Sequence, residues 1–125
     1  MDGHFRSVIH NTDLTWPNAL TLDYDTQTLY WMDAYLDKLE SSNVNGLNRR
    51  LLSRAYIYHP FGITLFRGRL YWTDWQVNAI LSAHLNQPQN VSVVMGPLVL
   101  DPLGIHVISL ERQPRGQCCT LLLTM

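Results

Sequence analysis

The sequence predicts an all-β chain, part of a β-propeller with four-stranded antiparallel blades and an open ring. Two observations predict it. Tyr30-Trp31-Met32-Asp33 returns 41 residues later as Tyr71-Trp72-Thr73-Asp74. Within each repeat, short runs rich in β-branched and aromatic residues alternate with turn chemistry instead of following a helical period.

The frame around the two copies fixes the repeat length. Trp16-Pro17-Asn18-Ala19-Leu20-Thr21-Leu22 leads into the first, and His59-Pro60-Phe61-Gly62-Ile63-Thr64-Leu65 leads into the second. A third lead-in, Asp101-Pro102-Leu103-Gly104-Ile105-His106-Val107, follows, so that Pro17, Pro60 and Pro102 stand 43 and 42 residues apart. Read backwards, Gly3, Arg6, Val8 and Ile9 align with Gly46, Arg49, Leu51 and Leu52. This register divides the chain into the tail of a preceding blade (1–13), a blade (14–56), a second blade (57–97), the start of a further blade with an exit segment (98–116), and an unrelated, disordered tail (117–125).

A spacing of about 40–45 residues is shared by helical-pair solenoids and four-stranded propeller blades, and the texture within a unit decides between them. The first unit offers strands at 19–22, 29–33, 36–42 and 49–52; the second offers 62–65, 70–74, 79–85 and 91–94. Only 36–52 approaches helical periodicity, and Asn45-Gly46 interrupts it with a strong hairpin signal. Breaks at Arg67-Gly68-Arg69, at 75–78 and at Asn86-Gln87-Pro88 separate the strands of the second unit. Propellers arrange about 4–8 such blades around a channel.

The two Tyr-Trp-x-Asp copies, the upstream Trp/His-Pro-x-Ala/Gly-Ile/Leu-Thr-Leu frame, and the downstream Asn-Gly followed by Arg-Arg and two aliphatics resemble the YWTD propeller of the low-density lipoprotein receptor family. The resemblance runs from about Gly3 to Gly116. Residues 110–115 resemble the stretch that leaves the last blade, after which the family has a cysteine-rich growth-factor-like module; here Gln117-Cys118-Cys119 and an apolar tail stand instead. The resemblance implies that the motif forms the second strand of each blade. Tyr30, Trp31, Tyr71 and Trp72 then pack between blades, and Asp33 and Asp74 tie neighbouring blades together. Met32 replaces the motif threonine kept at Thr73, which removes one hydroxyl hydrogen bond from the first copy.

It also implies a function: a non-enzymatic protein-interaction module of the kind found in ligand-binding and ligand-releasing endocytic receptors or Wnt co-receptors. Partner-binding candidates are Trp75, directly after the second motif, with Tyr35 and Arg67; rim aromatics of this kind are frequent hot spots. Protonation of propeller histidines accompanies ligand release in the family, which makes His59, His84 and His106 residues of interest. The alternative is a truncated receptor-gene product with no independent activity. The family works at the cell surface and in endosomes, whereas this sequence shows no signal peptide and no transmembrane segment.

Composition bounds the remaining classes. The formal net charge is −1 with both signs interspersed, which argues against nucleic acid or an anionic membrane as partner, and nothing is apolar enough for membrane insertion. Arg49-Arg50 and Arg67-Gly68-Arg69 read as solvated turn residues, as do Asp23 and Asp25. No nucleophile elbow, phosphate loop or metal-ligand spacing occurs, so the expectation is no catalytic, cofactor or metal site. Cys118 and Cys119 are adjacent and ill-suited to bridge each other. Asn90-Val91-Ser92 is an N-glycosylation sequon, expected on a surface turn. The resemblance implies protein ligands as partners, and blades left without neighbours add self-association through open edges.

Overall fold

A computed structural model of the chain describes residues 6–109. Gly3, the exit segment from 110 onward, and the tail with Cys118 and Cys119 lie outside the described residues. Eight strands form in order: β1 (Ala19–Asp23), β2 (Thr28–Asp33), β3 (Lys38–Asn43), β4 (Arg50–Ser53), β5 (Pro60–Phe66), β6 (Arg69–Asp74), β7 (Ala79–His84) and β8 (Gln87–Met95). They make two four-stranded antiparallel sheets, ordered β1-β2-β3-β4 and β5-β6-β7-β8, and no helix occurs among the described residues. The fold is all-β, a pair of propeller blades in an open arrangement.

Turn chemistry explains where strand ends differ from expectation. The third strand begins at Lys38, not at Leu36, because the Asp33 carboxylate holds the Tyr35 and Leu36 amides in a turn and Asp37 adopts a φ of 48°. Asn45-Gly46 does not make a two-residue hairpin turn. The chain loops from Val44 to Arg49, with the Asn43 N–H donating to Leu47 O, the Gly46 N–H donating to Asn43 O, and Gly46 supplying a φ of +83°. The break expected at 86–88 sits instead at Leu85-Asn86, and Gln87-Pro88 opens β8. Proline is tolerated there because β8 is an edge strand whose outer side needs no ladder donor.

Strand alternation sorts side chains onto two faces of each sheet. From the first sheet Ala19, Tyr30, Met32 and Leu39 enter the core; from the second Ile63, Leu65, Leu70, Trp72, Ala79, Leu81 and Ala83 meet them. Ile57, in the connection between the sheets, completes the cluster. The sheets approach most closely along β1 and β5, and β4 meets β8 more lightly, so the blades fan outward from their first strands. The Gln89 Nε2 group bridges that wider end by donating to Leu52 O at 3.3 Å.

Candidate functional site

The motif aspartates are buried hubs at the end of β2 and β6. Asp33 is fully buried and accepts N–H bonds from Thr15 at 2.7 Å and from Trp16, on the chain entering β1, and from Tyr35 and Leu36 at 3.0 Å on the turn leaving β2. Asp74, equally buried, accepts from the Tyr58 and His59 amides at 3.0 Å and from Gln76 at 3.0 Å. Each carboxylate therefore fastens the segment that enters its blade to the turn after the motif strand. Burial pushes the Asp33 carboxyl up, yet the amides of Thr15, Leu36, Trp16 and Tyr35 outweigh it together and hold the group below the ordinary carboxylate range.

Thr73 adds a further tie that its counterpart lacks. Its hydroxyl oxygen accepts from the Gly62 N–H at 3.0 Å while the O–H donates to Leu103 O at 2.6 Å, binding the second blade to the segment that follows it. Met32 has no hydroxyl and lies wholly buried between the sheets. Nearby, Asn18 Nδ2 donates to Pro60 O at 3.2 Å and supplies a polar link between the blades.

The face of the first sheet turned away from the second carries a buried ionic cluster that sequence reasoning missed. Glu40 receives Lys38 at 2.9 Å and Arg49 through two nitrogens, at 2.8 and 3.0 Å, while Trp31 Nε1 donates to it at 3.2 Å. Residues 12 and 13 close over the cluster, their carbonyls accepting from Arg49, and Asp13 O also from Lys38 at 2.8 Å. Burial raises the Glu40 carboxyl, and Arg49 and Lys38 more than reverse that, leaving it below its ordinary value. Arg49 is thus a half-buried ion-pair partner stacked 5.4 Å from the Trp31 ring, not a solvated turn residue. The available signal was the alternation of Lys38 and Glu40 on the same face as Trp31. In the second blade Ala79 and Leu81 occupy the equivalent places, and Trp72 Nε1 finds no acceptor among the described residues.

At the end of the sheets where the aspartates sit, five rings form a continuous run. Tyr35 packs edge-on to Trp16 at 5.2 Å, Trp16 lies 6.1 Å from His59, His59 stacks on Trp75 at 5.5 Å, and Trp75 stacks on Phe61 at 5.2 Å. The run crosses from one blade to the other, and Tyr35 and Trp16 are 60% and 50% exposed. It follows from the carboxylate hubs: Asp33 pins the backbone of Trp16 and Tyr35, and Asp74 pins that of His59. Two sequence-derived partner candidates, Tyr35 and Trp75, fall in this run. Arg67 does not: it lies in the β5–β6 turn at the other end of β6, over the Phe66 ring and beside Asp23, Tyr24 and Asp25 in a shallow cleft. Trp16, His59 and Phe61 complete the run without having been singled out as partner contacts, because only the fold joins two lead-ins 43 residues apart.

Of the other candidates, Asn90 is exposed inside strand β8, not on the expected turn. Asp23 does act as a turn cap, accepting from the Asp25 N–H and the Thr26 hydroxyl. His84 Nδ1 accepts from the Asn86 N–H at 3.2 Å in the β7–β8 turn. Among the described residues no cluster of three or more metal-ligating side chains occurs, and no helix is long and apolar enough to cross a membrane.

The carboxylates of Asp33 and Asp74 thus tie each blade to its own entering segment and not, as expected, one blade to the next. Two four-stranded sheets, repeated in sequence and sharing one hydrophobic cluster, define a pair of β-propeller blades. The solved structure described as "Crystal structure of Nidogen/Laminin Complex" superposes with a TM-score of 0.71 at 31% identity, covering 78% of this chain and 38% of that chain. The profile of the "Low-density lipoprotein receptor repeat class B" matches residues 27–67. Low-density lipoprotein receptor-related protein 4 of Homo sapiens is 42% identical over 101 residues, 81% of this chain, and the vitellogenin receptor of Solenopsis invicta is 40% identical over 80 residues, 64% of this chain. The chain belongs to the low-density lipoprotein receptor class B (YWTD) repeat family. It spans 5% and 4% of the length of those two relatives.

Proposed function

We propose that the chain is a non-enzymatic protein-interaction module that takes protein ligands on its aromatic rim. The observation that carries this reading is the continuous Tyr35–Trp16–His59–Trp75–Phe61 run, three of whose rings stand on backbone bonded to two buried carboxylates while the Trp75 N–H donates to His59 O, so that little is left to order on binding. Tyr and Trp give large contact areas at a small cost in side-chain entropy, and a rim of this composition suits apolar and aromatic anchors of an extended segment. One named relative is a vitellogenin receptor, another a low-density lipoprotein receptor-related protein, and the solved neighbour belongs to a complex, which supports a protein as ligand; a part in ligand uptake, ligand release or Wnt co-reception is proposed with it. Arg67 stands apart from this surface. Self-association through open strand edges is a second partner mode of the same module.

A random-peptide phage library tests the rim. Selection on the immobilised wild-type chain is expected to enrich peptides whose binding falls at least tenfold with Trp75→Ala or Trp16→Ala and stays within twofold with Arg67→Ala. Enriched peptides indifferent to both tryptophans, or no enrichment at all, would contradict the reading.

A further inference from the structure

Strand β8 is the outermost strand of its sheet and runs for nine residues without a charged side chain. Exposed sheet edges recruit other strands unless charge, proline, bulges or a cover discourage it. The first part of β8 has such guards: Pro88, and a register shift opposite the Ala83/His84 pair. From Val91 to Met95 they thin out to one further register shift, while Val93 is 65% exposed and Val94 and Met95 are more than half exposed. The outer strand of the first sheet is better protected, being four residues long and opening on Arg50.

Asn90-Val91-Ser92 lies where the guarded stretch gives way to the unguarded one. Gln89 points toward the first blade, since its amide donates to Leu52 O, and Val91 packs on the inter-blade core. Strand alternation therefore turns Asn90 and Ser92 to the opposite, outward face, and both are exposed. A bulky group on Asn90 meets open solvent without disturbing the contact between blades. Val93 follows three positions on, about 10 Å away at strand rise and on the face of Val91, so an oligosaccharide on Asn90 reaches it by wrapping the outer edge of the strand.

We infer that Asn90 is an N-linked glycosylation site whose oligosaccharide covers the β8 edge and keeps a second copy of this chain from pairing with it. The modification is a group transfer from a polyprenyl-diphosphate-linked oligosaccharide: the Asn90 Nδ2–C bond forms at the anomeric carbon, the anomeric C–O bond breaks, polyprenyl diphosphate leaves, and the amide proton passes to a base. The glycan does what charged residues do on other edges, by bulk and hydration in place of charge. The inference is independent of ligand binding at the rim. Its second part rests on the proposed self-association through open edges.

The test is secretion of the full 125-residue chain from mammalian cells behind a heterologous leader. Intact mass before and after peptide N-glycosidase is expected to show an oligosaccharide on the wild type and on Ser92→Thr, and none on Asn90→Gln or Ser92→Ala. By sedimentation velocity the glycosylated chain stays monomeric, whereas the chain trimmed by an endoglycosidase to a single N-acetylglucosamine, which leaves the Asn90 amide uncharged, and Asn90→Gln associate at least tenfold more tightly. Adding Val93→Lys to Asn90→Gln returns it to monomer. Absence of a glycan on the wild type overturns the site. Equal association with and without the glycan, or association that Val93→Lys leaves unchanged, overturns the role at the edge. Endoglycosidase trimming of already folded wild type keeps the result readable where a variant fails to fold.

Discussion

Tyr30 of the first repeat and Trp72 of the second meet in one hydrophobic cluster, although they occupy neighbouring places in the same four-residue motif. The reason is the two-residue period of a strand: adjacent residues point to opposite faces, so each blade offers its motif tryptophan to the blade before it and its motif tyrosine to the blade after it. Trp31 accordingly faces His10 and Arg49 on the near side of the first sheet, at 5.1 and 5.4 Å.

Trp72→Ala is expected to cost about 3–5 kcal/mol, the range for deleting a fully buried large aromatic. Tyr71→Ala, on the more open face, costs less. Urea unfolding of the two variants followed by circular dichroism ranks them.

Asp33→Asn removes the charge that four amides converge on and is expected to lower stability by about 1.5–3 kcal/mol, the scale of a hydrogen bond to a charged group. The pH dependence has a definite sign. Folding holds the Asp33 and Glu40 carboxyls below their ordinary values, so their stabilisation is complete above the unfolded range near pH 4 and is lost as pH falls through the lower folded values. Thermal melting from pH 7 to pH 2 should show this acid-side loss, reduced in Asp33→Asn.

Glu40→Ala strands Lys38 and Arg49, with side chains 7% and 20% exposed, against a vacated site. The expected loss is about 3–5 kcal/mol. The triple variant Lys38→Ala/Glu40→Leu/Arg49→Leu, which brings two positions to the residues found in the second blade, is expected to lie much closer to wild type. Chemical denaturation of both distinguishes an ion cluster that stabilises by pairing from one that merely avoids unpaired charge.

Gly62→Ala places a methyl group 2.9 Å from Leu103 O and 3.0 Å from Ile105 N. The counterpart residue in the first repeat is Ala19, so the demand for glycine arises from the following segment and not from the strand. A loss of about 1–3 kcal/mol is expected, with faster amide exchange at residues 103–105 as the local readout.

The fold was legible in the sequence because the repeat register and strand alternation are local signals: the motif at Tyr30 and Tyr71 and the turns around Asp25 and Gly68 are readable one segment at a time. Strand ends moved where a side chain recruited backbone across a turn, as Asp33 does with Leu36, a choice that no composition pattern records. Two of the five rim rings were legible, since Tyr35 and Trp75 stand within two residues of the motif ends. The other three were not, because Trp16, His59 and Phe61 join the run only when one carboxylate pins each lead-in. The ionic cluster was hidden for a different reason: Lys38, Glu40 and Arg49 look like solvated residues until the chain at Thr12 and Asp13 closes over them.

The four tryptophans provide the most direct measurement of the rim's role, since Trp16 and Trp75 belong to it and Trp31 and Trp72 lie in the buried faces of the sheets. Indole N–H resonances of the isotopically labelled chain, titrated with a peptide selected on the wild type, report each ring separately. Shifts confined to Trp16 and Trp75 are the predicted result; a bound peptide that moves neither, or moves only Trp31 and Trp72, contradicts the account.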